Sequence, residues 1–144
     1  MKNEEFATAM MKTEFYNIGD DDWGILLVYD YDYRDFDRIW SMLRAFGLPD
    51  HRVQGAMSVL SRPDSGMTLT IPSDLMSVLF ISEATSDEEW FNTLIHELKH
   101  VVEHISEFYQ VEPTSEPAAY LQGEIGRQMF PMIMRKMCRR EEEG

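Results

Sequence analysis

From Asp87 to Tyr109 the chain carries apolar residues at helical spacing: Leu94, Leu98, Val101, Ile105 and Phe108, with Ile95, Val102 and Tyr109 beside them. Ser86 followed by Glu89 has the form of a capping box, which sets the helix start. At about 100° per residue the apolar set gathers on one side. His96 and His100 then fall almost diametrically opposite, together with Glu103 and Glu107. A helix with two such faces lays one on a core and leaves the other along a cleft.

The same stretch contains His96-Glu97-Leu98-Lys99-His100, an H-E-x-x-H arrangement. Residues four apart stand about one turn along and nearly above one another, so two imidazoles can converge on one cation. The intervening Glu97 is then placed to work on a water rather than to ligate. It falls at the border of the two faces, where partial desolvation suits a carboxylate to general-base work. Most helical histidines only occupy a surface or a polar niche. Two of them on the non-core face of a capped helix favour metal binding.

A catalytic zinc site usually takes three protein ligands and keeps one position open. His104 shares the spacing of His96 and His100, but on an unbroken helix it lies about 12 Å along the axis from His96, too far to close around one ion. Glu116 is the better candidate, because it opens a new helix after a loop long enough to turn back; Glu124 is the reserve. The inverted order His100-x-x-Glu103-His104 is an overlapping alternative that strands His96 and leaves Glu97 without a task.

The rest of the chain sets bounds. Its 144 residues, 44% of them hydrophobic, are one domain's worth and enough for a core. A formal charge of −13 argues against nucleic acid or an anionic membrane as partner, since both would repel it. The lone Cys138 excludes an internal disulfide, and neither a leader-like nor a membrane-spanning stretch is present. Cytoplasmic residence is therefore the expectation.

In order, Met1–Lys12 is poor in pattern and has the look of a frayed helix; Phe15–Ile18 reads as a short strand before an acidic turn, Gly19–Asp22. Gly24–Tyr33 reads as a strand, and the helix after it shows Phe36, Ile39, Trp40, Leu43 and Phe46 on one face and stops at Gly47. Val53–Leu60 and Gly66–Ile71 are expected as two further strands, the second alternating Met67, Leu69 and Ile71 with Thr68 and Thr70. Ser77–Ser82 is a buried strand leading into the His helix. A last helix begins near Ser115–Pro117 and continues through Tyr120, Leu121, Ile125 and Met129, with a kink expected at Pro131 and a charged, partly disordered tail over Arg135–Gly144. The predicted class is a single α+β domain over residues 1–144, with a small, mainly antiparallel sheet packed on the His helix.

The His96–His100 motif, with Glu116-Pro117-Ala118-Ala119-Tyr120 opening the next helix, resembles the gluzincin branch of zinc metallopeptidases in its minimal single-domain form. His96-Glu97-x-x-His100-x-x-x-His104 followed by Glu116-x-x-Ala119 is also similar to the ImmA/IrrE-type peptidases, which cleave repressors. The resemblance covers about residues 79–126. It implies a zincin-like fold, Zn2+ held by His96, His100 and Glu116, and Glu97 passing a proton from water to the leaving amine. A further donor for the oxyanion would come from Tyr120, His104 or Arg127, and the expected partner is an extended peptide or protein substrate added along Met67–Ile71. A second class is a non-catalytic metal-binding or regulatory module of the same fold; Glu97 speaks for an enzyme, since a structural site needs no base.

Overall fold

The computed structural model describes residues 11–19 and 23–143, with side chains to 138. Among these, the order is β1 (Lys12–Ile18), β2 (Trp23–Tyr29), α1 (Phe36–Ala45), α2 (Asp50–Leu60), β3 (Gly66–Ile71), β4 (Met76–Ile81), α3 (Asp87–Phe108) and α4 (Glu116–Glu143). The expectations for residues 1–10 and 20–22 lie outside the described residues.

The sheet runs β1-β2-β4-β3. Its two outer pairings are antiparallel, but the central β2–β4 pairing is parallel, so the sheet is mixed. A parallel pair needs a long crossover, and here α1, α2 and β3 all lie between β2 and β4 in sequence. Strands buried on both faces read as continuous apolar runs. Ile25, Leu27 and Leu79 of β2 and β4 face α3 and α4, whereas Val28, Val78 and Phe80 face α1 and α2. Helices thus cover both sides of an α+β sheet.

The expected strand at Val53–Leu60 is a helix. Val53, Met57 and Val59 suggest a period of two, yet the buried residues are Val53, Ala56 and Leu60, which recur with a helical period. Pro49 precedes this helix in extended conformation and Asp50 opens its first turn, as a helix start favours. The apolar stripe rests partly on an alanine, which a pattern weighted to large residues overlooks. β2 also stops earlier than expected, at Tyr29, because Asp30 turns into the left-handed region at φ 53°. Gly47 ends α1 as anticipated, at φ 98°.

In α3, Ser86 Oγ accepts the Glu89 amide at 3.1 Å. Leu94, Leu98, Val101 and Ile105 are buried, while Ile95 and Phe108 are exposed. The last helix runs through Pro131 and on to Glu143, so the segment expected as a tail from Arg135 is helical. It is also tied down: Arg135 bonds Glu14 at 2.9 Å, and Lys136 bonds Asp30 at 2.6 Å with its ammonium 4.8 Å from the Trp90 ring centroid. No described helix is long and apolar enough to cross a membrane.

Candidate metal centre

The site is built where α3 lies against the edge strand β3. The alternation in β3 divides its work: Met67 and Leu69 join the core under α1 and α2, and Thr68 and Thr70 turn to α3. The Thr68 hydroxyl donates to Glu97 Oε1 at 2.8 Å and lies 3.2 Å from the Glu97 carbonyl oxygen. Glu97 is 6% exposed. A carboxylate that far from water needs a donor, and Thr68 supplies it.

Gly66 makes this approach possible. A Cβ at that position would stand 2.8 Å from Thr93 Cγ2, 2.9 Å from Glu97 Cγ and 3.0 Å from the Phe80 carbonyl oxygen. A glycine in a strand often marks such a close approach. Gly66→Ala is expected to lower stability by about 1–3 kcal/mol, as overpacking does, and to displace Glu97. Urea denaturation measures the first effect; an unchanged midpoint would show that the neighbours yield freely.

With its Oε1 held by Thr68, Glu97 places Oε2 3.9 Å from His96 Nε2. The rings of His96 and His100 stand 4.9 Å apart between centroids. One donor atom from each of His96, Glu97 and His100 lies within 4.8 Å of the other two, the single such group among the described residues. His96 is open to solvent and His100 partly so. Two imidazoles and a carboxylate are donors that could hold a divalent metal ion. Compared with protein families, curated proteins and solved structures, the chain matches none.

Glu116 and Glu124 do not join that group. Both are on α4, where they line a groove of about 390 Å³ with Ala119, Tyr120, Gly123 and Arg127. Glu124 is engaged there: Arg127 donates to it at 2.6 and 3.0 Å and Gln128 at 3.0 Å. Those bonds, Arg127's first, hold its carboxyl below the usual range. Tyr120 is 76% exposed along the same groove, which none of His96, Glu97 or His100 lines. The sequence reading named His96, Glu97 and His100 with Glu116 as the ligand and Tyr120 or Arg127 as a donor; the close group comprises the first three, and Glu116, Tyr120 and Arg127 line the α4 groove. It passed over Gly66, Thr68 and Thr70 as parts of the site. Their signal was present as the small and polar positions of an alternating strand.

Proposed function

We propose that the chain is a zinc-dependent peptidase acting with Glu97 as general base, its ion held by His96 and His100. The observation that carries this is the state of Glu97: buried, bonded through one oxygen to Thr68, and turned with the other towards the histidine pair. A residue that only filled space would not need this placement, and a structural metal site would not need a base. When bound, the zinc would supply Lewis acidity towards a carbonyl and a water. Glu97, through the carboxylate oxygen that Thr68 leaves unbonded, would accept a proton from the attacking water and pass it to the leaving amine. Thr68 holds the carboxylate in one orientation, and β3 is an edge strand among the described residues, to which an extended peptide could add.

One observation favours a second reading, a metal-binding or regulatory module of the gluzincin-like type. Neither Glu116 nor Glu124 stands with the histidines, so a third protein ligand on α4 lacks support from the described residues. The test is zinc content per chain together with hydrolysis of unfolded casein, before and after chelation. About one zinc and chelator-sensitive cleavage support the peptidase. One zinc without cleavage leaves the module.

A further inference from the structure

A line of hydrogen bonds runs from the core to the face of α3 that carries the histidines. Trp23 Nε1 donates to Ser77 Oγ at 3.1 Å, Ser77 Oγ is 2.9 Å from Thr70 Oγ1, and Thr70 Oγ1 is 2.7 Å from His104 Nδ1. Thr70 and Ser77 are cross-strand partners in the β3–β4 register, so the sheet itself aligns the middle of the line.

The proton order in this line is determined by its first member. An indole N–H can only donate, so Ser77 Oγ accepts from Trp23. Ser77 is fully buried, and among the described residues its hydroxyl hydrogen has one acceptor, Thr70 Oγ1. The Thr70 hydrogen must then go to His104 Nδ1. The reverse order would leave the Ser77 hydrogen buried without an acceptor, which carries the full desolvation penalty of that group. Neutral His104 therefore accepts at Nδ1 and carries its proton on Nε2.

This settles what His104 can offer. With one nitrogen used as acceptor and the other protonated, it has no lone pair free for a metal. Its ring stands 6.4 Å between centroids from that of His100, in the same row as His96. It is held by Thr70 as Glu97 is held by Thr68, two residues apart on the same face of β3.

We propose that His104 is the hydrogen-bond donor of the site, presenting Nε2–H to the substrate's carbonyl oxygen as negative charge develops there. Thr70, Ser77 and Trp23 are positioning residues that fix its tautomer. The role rests on the peptidase reading, and it replaces the solvent-exposed Tyr120 as the donor. A neutral imidazole held in advance costs no reorganisation during the reaction, and loss of one such donor typically costs about 10²–10³ in kcat.

The test uses the zinc-loaded chain with unfolded casein as substrate and ¹⁵N NMR of the imidazoles at about pH 8, where histidine is ordinarily neutral. His104 is expected as the Nε2–H tautomer. Thr70→Val should abolish that preference and Thr70→Ser should restore it. His104→Ala should keep one zinc and lose about 10²–10³ in kcat with little change in KM. Should that variant fold poorly, His104→Gln, which retains an N–H donor, should fold and keep part of the rate. An Nδ1–H tautomer in the wild type overturns the relay. Loss of zinc in His104→Ala makes it a ligand and overturns the donor role. Unchanged kcat in that variant overturns the donor role while leaving the peptidase reading intact. A wild type that cuts nothing overturns the peptidase reading, and the donor role with it.

Discussion

Glu97→Gln is expected to keep its zinc and its fold while losing hydrolysis by about 10²–10⁴-fold, the loss usual for a missing acid–base group. The amide is nearly the same size as the carboxylate, so the close packing beside Gly66 and Thr93 is preserved. Its oxygen can still accept from Thr68, now at 2.8 Å from Glu97 Oε1. What the variant lacks is the ability to take a proton at the second oxygen. The measurements are zinc per chain, a thermal melt, and casein hydrolysis compared with wild type. Retained activity would remove Glu97 from the chemistry. Loss of zinc would mean that it is a ligand, completing a His96–Glu97–His100 set.

His100→Ala should eliminate stoichiometric zinc binding, and His96→Ala should do the same. Two imidazoles supply the only nitrogen donors of the group, and one of them with a carboxylate makes a poor site. The effect has a second readout in stability. An ion that binds only the folded chain stabilises it by about 2.7 kcal/mol when present at a hundred times its Kd. Wild type should therefore melt lower after chelation, and His100→Ala should melt at the same temperature with or without zinc. A variant that still takes up one equivalent would show that the ion binds elsewhere. Glu116→Ala belongs in the same series and is expected to keep zinc, given its place in the α4 groove. If it loses the ion, α4 reaches the histidines when metal is bound.

The contrast between Glu97 and Glu116 shows where local pattern stops. His96, Glu97 and His100 lie within about one turn of a single helix, so helical geometry alone brings them together once the segment is known to be helical. The apolar face of α3, its Ser86 cap and the stop of α1 at Gly47 are legible for the same reason: each depends on residues a few positions apart. The third-ligand question joins two helices across a loop. The angle at which α4 leaves that loop follows from its packing on α3 and β1, through Ala118, Ile125, Met129 and Met132, which spacing does not encode.

The chain's own sequence determined the His helix, its burial side and the pairing of a carboxylate with two imidazoles. Tertiary structure alone decided that the sheet is mixed, because strand direction depends on how the crossover through α1 and α2 returns. It also decided what faces the motif. Thr68 and Thr70 read as the solvent side of a half-exposed strand, and the fold turns that side onto α3 instead. One threonine then holds Glu97 and the other orients His104 through partners 34, 7 and 54 positions apart along the relay. Hydrogen-bond satisfaction in a buried site is a property of the assembled layers, and no periodicity in a single segment carries it.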